Sequence, residues 1–353
     1  MSYTEREENL IVFASLEEIS DKLKQRLLFE CRDDEERQSY AVKNLTLGVY
    51  NTVENKFRDG IYRTQCLETL EKKGIKCVTF FSEDYPERLK NIEDAPIVLY
   101  CKGNVKLLNG NCFSVVGSRR TSSTALALCK KISGELTEVF TVVTGMAEGA
   151  DSSAIEGAIN SGKVISVLAN GVDYFYPATN RALMEKVAKE GLLVTEYLPH
   201  IQPAKYNFPA RNRIIAGLSK GTLVVSAGEK SGAVITADWA LEYDREVFAF
   251  PYSPGVASGV GCNALIKNGA YLTENILDIF KVFGLDLNKS AQSLPLTADE
   301  RAVLEQLKIT GEGFLPVIAQ KLNRLPYQLI PVFSSLEIKG LVTRLGGNRY
   351  GIV

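Results

Sequence analysis

Between Lys205 and Arg213 the chain places three cations, Lys205, Arg211 and Arg213, and two aromatics, Tyr206 and Phe208, within nine residues that also hold Pro209 and Asn212. Phosphates call for cations and splayed bases for a flat apolar face. Interleaved Lys, Phe and Arg therefore suit a single nucleic-acid strand better than duplex readout. Pro209 marks the first turn of a helix and would aim free N–H groups outward. A core Phe208 beside a helix face of solvated arginines would give the same residues, and this stretch alone does not separate the two readings.

Three further motifs could hold a phosphate. SVVGSRRTSS, residues 114–123, is an apolar strand followed by Gly117, Ser118, Arg119, Arg120 and a helix start. A glycine at the carboxyl end of a strand lets backbone N–H groups approach an anion. The helix dipole adds to this, and the planar guanidinium of Arg119 suits phosphate. Read alone, the segment is equally a strand-to-helix turn capped by Thr121 or Ser122. In VTGMAEGADSSAIEGA, residues 143–158, Gly145 and Gly149 bracket a second such turn, and Asp151 or Ser152 could cap its helix. The spacing lacks the G-x-G-x-x-G that seats a dinucleotide pyrophosphate, which disfavours a nicotinamide enzyme. The fourth motif, Glu229 to Ala237, offers Lys230, Ser231 and Gly232 as donors after an apolar strand, or a plain capping turn. The near-match to a phosphate loop at Gly157 to Val164 has Val164 where Ser or Thr is required and runs helix to strand, the reverse of the working order.

The elements that position these motifs are legible in the apolar pattern. Short, mostly apolar runs at residues 77–81, 97–101, 112–116, 140–144, 164–168, 192–196, 222–226 and 247–250 read as strands. Helical segments separate them at 122–138, 150–159, 180–190 and 233–243. This alternation predicts an α/β domain over 76–285, an extended Rossmann-like, doubly wound and mostly parallel sheet covered on both faces. All four motifs then follow strands at their carboxyl ends, where open α/β sheets bind ligands. Before the sheet, residues 1–75 show helical spacing and predict a small helical N-terminal domain. After it, the polar stretch 286–294 reads as a linker. Residues 295–353 give three helices (298–307, 315–322, 326–338) and a hairpin with a Gly346–Gly347 turn, the order of a winged helix.

With 353 residues, 45% hydrophobic and 24% charged, the chain has the composition of a globular protein of two or three domains. The net charge of -1 means that any polyanion site must be local. His200 is the single histidine, and the seven cysteines form no CxxC pair, so no metal site and no cofactor are expected. No apolar run is long enough for a membrane span or a signal peptide, which predicts a cytoplasmic protein with reduced thiols.

Taken together, VVGSRRTS, TGMAEGADSSA, FPARNRIIAGLS, SGAVITADWAL, VFAFP and GCNALIKNGA, in that order over roughly residues 85–280, resemble the bacterial DNA-processing protein A family (DprA, also called Smf). The resemblance implies a non-catalytic protein that binds single-stranded DNA as a homodimer through the Rossmann-like domain. It also implies protection of incoming DNA during natural transformation and loading of RecA recombinase. Carried onto this chain, the family's phosphate-binding arginine falls on Arg119, its basic residue before the FP motif on Lys205 and its base-contacting aromatic on Phe208. The helix-hairpin-helix glycines near the start of many members are missing, so the resemblance does not extend a DNA role to residues 1–75. In the winged helix, Lys321, Arg324, Lys339, Arg344 and Arg349 are either a binding face or ordinary solvation. Two rival readings stand beside this one. A Rossmann-like nucleotide-binding hydrolase of the phosphoribohydrolase type would carry PGGxGTxxE where this chain has SAGEKSGAVITADWALE. A transcriptional regulator would bind duplex DNA through the winged helix.

Overall fold

A computed structural model of the chain describes residues 3–31, 34–285, 296–310, 312–338 and 341–352. The expected linker 286–294 and Lys339 lie outside the described residues. Two compact units are formed, Met1–Leu285 and Asp286–Val353.

The first unit opens with α1 (Glu5–Ala14), α2 (Asp21–Phe29), α3 (Asp34–Asn44), α4 (Leu47–Arg58) and α5 (Gly60–Lys72). Thr4 and Glu7 form a reciprocal capping box at α1, satisfying two otherwise orphaned N–H groups. The helices have a small apolar cluster of their own around Leu27, Cys31 and Ala41. They are also bound to the sheet that follows, which is why they share its compact unit. The Tyr3 hydroxyl accepts from the Cys77 N–H at 3.0 Å, and the Ser82 hydroxyl donates to Glu7.

Then come β1 (Lys76–Thr79), α6 (Glu87–Lys90), β2 (Val98–Gly103), β3 (Cys112–Val116), α7 (Ser123–Leu136), β4 (Thr141–Thr144), α8 (Ala150–Ala158), β5 (Val164–Val167), α9 (Arg181–Glu190), β6 (Leu192–Thr195) and α10 (Asn207–Leu218). The unit closes with β7 (Gly221–Val224), α11 (Gly232–Glu242), β8 (Glu246–Ala249), α12 (Val260–Lys267), β9 (Tyr271–Leu272) and α13 (Ile276–Val282). The sheet has nine strands in the order β1-β2-β6-β5-β4-β3-β7-β8-β9. The pairs β1–β2 and β2–β6 are antiparallel, and all others are parallel. Strands β3 to β7 are buried at every position, as continuous apolar runs require when helices cover both faces. The strand order reverses between β3 and β7. With right-handed crossovers, α7 and α8, which pack on each other, lie on one face and the packed pair α10 and α11 on the other.

The second unit comprises α14 (Ala298–Thr310), β10 (Glu312–Phe314), α15 (Leu315–Lys321), α16 (Pro326–Ile338), β11 (Val342–Gly346) and β12 (Arg349–Ile352). Its three-stranded sheet, β10-β12-β11, adds a short strand to the expected hairpin. Its core joins Val303, Leu307, Ile318 and Leu336 to Phe333, whose ring stacks on Tyr350 at 4.3 Å.

Candidate nucleic-acid interface

The loops after β3 and β7 meet where the strand order reverses, the usual ligand position in open α/β sheets. Their contact is polar. The Ser118 N–H donates to the Ser226 carbonyl at 3.0 Å and hydroxyl at 3.1 Å, and the Thr121 hydroxyl donates to the Ser118 carbonyl at 2.9 Å. The Ser118 N–H, expected to face an anion, is thus spent inside the protein. Ser122 caps α7 by accepting from the Ala125 N–H, leaving Arg119 and Arg120 exposed on the turn before it.

The loop after β4 packs beneath this turn. At Gly149, φ is +81° and a Cβ would lie 2.6 Å from the Ser118 carbonyl oxygen, so only glycine fits. Asp151, expected as a cap, instead reaches back to accept from the Ala147 N–H at 3.2 Å, and Ser152 donates to the Ala147 carbonyl at 2.8 Å. No side chain caps α8.

α10 starts where Asn207, 2% exposed, donates to the Ala169 carbonyl after β5 at 3.0 Å. This anchor presents Phe208 to the loops. Its ring packs on Tyr176 at 5.7 Å, and the Arg119 guanidinium carbon sits 5.6 Å from its centroid. Arg119, Ala147, Phe208 and Arg211 line two adjoining hollows. The first, about 160 Å³, is completed by Met146, Glu148, Asn170 and Tyr176. The second, about 270 Å³, is completed by Gly117, Ser118, Asp151, Asn212, Ser231 and Gly232. The aromatic ring and the guanidinium therefore stand between two pockets whose walls mix polar and apolar groups.

The cations divide into two kinds. Arg119, Arg120, Lys205 and Lys230 are exposed and make no ion pair among the described residues. Arg211 and Arg213 are buried, not the solvated helix face that the spacing allowed. Arg211 Nε donates to Asn212 Oδ1 at 3.1 Å and Nη1 donates to the Val167 carbonyl. Burial lowers the Arg211 pKa against the opposing charge of Asp151, and burial raises that of Asp151 against the charge of Arg211. Arg213 makes a two-pronged pair with Glu196 at 2.8 and 2.7 Å. Burial opposes its charge, but Glu196, with Tyr197 and Asp94, outweighs burial and its pKa is raised.

Of the residues singled out in the sequence, Gly117, Ser118, Arg119, Phe208, Arg211, Asn212, Ser231 and Gly232 come together around the hollows. Lys205, Arg120 and Lys230 are exposed and line neither hollow. Gly145 is buried, and Arg213 is committed to Glu196. Ser231 caps α11 by accepting from the Ala233 N–H at 3.3 Å, while Asn212 Nδ2 donates to the Gly232 carbonyl at 3.1 Å. Sequence reasoning missed Asn170 and Tyr176. Their signal was position, an asparagine just past a strand and an aromatic before Pro177, both after β5. Among the described residues no group of three or more His, Cys, Asp or Glu could hold a metal ion, and no helix is long and apolar enough to cross a membrane.

Residues 76–284 match the family described as DNA recombination-mediator protein A. The DNA processing protein DprA of Streptococcus pneumoniae is 41% identical over 200 residues, covering 56% of this chain and 71% of that protein. Protein Smf of Escherichia coli K12 is 33% identical over 294 residues, covering 79% and 78%. The X-ray structure of DNA processing protein A from Streptococcus pneumoniae matches with a TM-score of 0.63 at 31% identity, over 80% of this chain and 98% of that one. DNA processing protein A from Helicobacter pylori, whose structure is described for its single-stranded DNA binding mode, matches with a TM-score of 0.54 at 30% identity, over 59% and 95%. These matches bear out the resemblance and do not favour the hydrolase alternative. A doubly wound sheet with its hollows where the strand order reverses, a match over residues 76–284 and relatives that are DNA processing proteins make this chain a member of the DNA recombination-mediator protein A family.

Proposed function

We propose that this protein binds single-stranded DNA in the groove between the β3, β4 and β7 loops, without catalysis, and passes the strand to RecA recombinase in the cytoplasm during natural transformation. One observation carries the reading: the Arg119 guanidinium lies 5.6 Å from the Phe208 ring centroid, and both residues line the two adjoining hollows. A cation for the backbone and a ring for a base are thus within one nucleotide's reach. Arg119, Lys205 and Phe208 hold the strand, with Arg120 and Lys230 as outer phosphate contacts. Gly117, Ser118, Arg211, Asn212, Ser231 and Gly232 shape the walls and Gly145 the floor, while Arg213 serves the fold. The Helicobacter pylori neighbour's single-strand binding mode supports the choice of ligand.

The working form is a homodimer through the Rossmann-like domain. Support comes from the open sheet edge at β9, where Tyr271 and Leu272 are 42% and 47% exposed. Fluorescence anisotropy with labelled oligo-dT and a matched duplex tests the ligand, and preference for the duplex overturns it. RecA filament formation on strands coated by a second single-strand binder tests the hand-off, which no acceleration would refute.

A further inference from the structure

Beneath the groove two opposite charges face each other without being paired directly. Asp151 and Arg211 are each 6% exposed, and a Cβ on Gly145 would run into Asp151 Oδ2 and the Arg211 guanidinium nitrogens. The bare Cα of Gly145 is therefore the gap between them. Each has another partner: Asp151 Oδ2 takes the Ala147 N–H, while Arg211 gives Nη1 to the Val167 carbonyl and Nε to Asn212. Arg211 lines both hollows and Asp151 the second. Arg119 and Thr144 are the other groups acting on Asp151, and Tyr197 and Arg119 those acting on Arg211.

We infer that Asp151 is a built-in counter-charge that competes with a nucleic-acid phosphate for Arg211 and thereby keeps the groove's hold on a strand releasable. The inference rests on the single-strand reading above. A fixed carboxylate in a poorly solvated floor repels an incoming phosphate and cancels one of the cations that would attract it. The four exposed cations then supply the attraction, and the buried one contributes only when Asp151 is silenced. A carrier that must give up its strand gains from this restraint, because most differences in affinity are differences in the rate of leaving.

The test is Asp151→Asn in the full chain, since the carboxamide oxygen can still accept the Ala147 N–H. With labelled oligo-dT, the variant is expected to bind on the order of tenfold tighter at low salt. Its plot of log affinity against log salt should steepen by about 0.7, the increment of one more single-strand phosphate contact. Oligo-dT should also raise the melting temperature of the variant more than that of the wild type, since binding restores the missing counter-charge. A merely structural carboxylate gives none of these gains. Equal or weaker binding by a folded Asp151→Asn overturns the inference alone, whereas a wild type that ignores oligo-dT overturns the groove reading with it. If the Asn variant does not fold, Asp151→Ser takes its place. Failure of both to fold marks the carboxylate as structural and refutes the inference.

Discussion

In the first unit Arg119, which lines both hollows, and Arg120, Lys205 and Lys230, which line neither, stand exposed and without ion-pair partners among the described residues. The exposed face of α16, the position of a recognition helix, shows Tyr327, Gln328, Ile330, Pro331, Ser334 and Glu337, without a single cation. The described cations of that second unit lie elsewhere and are partly spent: Arg324 pairs with Asp299 at 3.1 Å, Arg349 with Glu312 at 3.9 Å, and Arg344 donates to Asn348. A duplex reader needs phosphate-binding cations around a base-reading helix. The contrast teaches that net charge is a poor guide to where a polyanion binds, and that the commitment of each cation is the better one.

Arg213→Ala probes that distinction with the largest expected effect. Breaking its buried pair with Glu196 should destabilise the protein by about 3–5 kcal/mol, read as a fall in melting temperature. The salt slope of oligo-dT binding by the folded fraction should stay unchanged, and a reduced slope would put Arg213 in the groove after all. Next comes Arg119→Ala combined with Lys205→Ala, expected to weaken oligo-dT binding by about a hundredfold at low salt and to flatten the slope by about 1.4, two single-strand phosphates' worth. Unchanged binding would dissolve the comparison. Phe208→Ala should weaken binding by about 1–3 kcal/mol with the slope intact, because stacking releases no counterions. The smallest effect is expected from Lys321→Ala with Arg344→Ala, within about twofold of wild type, as isolated surface charges contribute little. A large loss there would move nucleic-acid binding to the winged helix.

The strands were legible because burial on both faces leaves mostly apolar residues to read, with only a few buried Ser and Thr among them. β3 was expected at 112–116 and runs Cys112–Val116, and β5 was expected at 164–168 and runs Val164–Val167. β9 has two residues, both exposed, and α12 begins among the small residues of a loop, so neither leaves a periodic trace. In the groove, Arg119 and Phe208 were recognisable by residue type. The fates of Arg211 and Arg213 were not, because what decides them is distant in sequence: Asp151 and the Val167 carbonyl for one, Glu196 for the other. Spacing within a helix says which residues share a face, but not what that face meets.

The close seating of Gly149 under the Ser118 and Arg119 carbonyls gears two loops together. Arg119 hangs from one of them, and Met146, Ala147 and Glu148 wall the first hollow from the other. The backbone that carries Arg119 is therefore held against the wall of the first hollow by main-chain contact, as in a jig, while Phe208 is fixed separately through the Asn207 anchor of α10. Side chains at 146 and 148 can be exchanged to widen or narrow the hollow while that backbone contact stays the same, which makes this wall the place to retune base preference under the proposed single-strand reading.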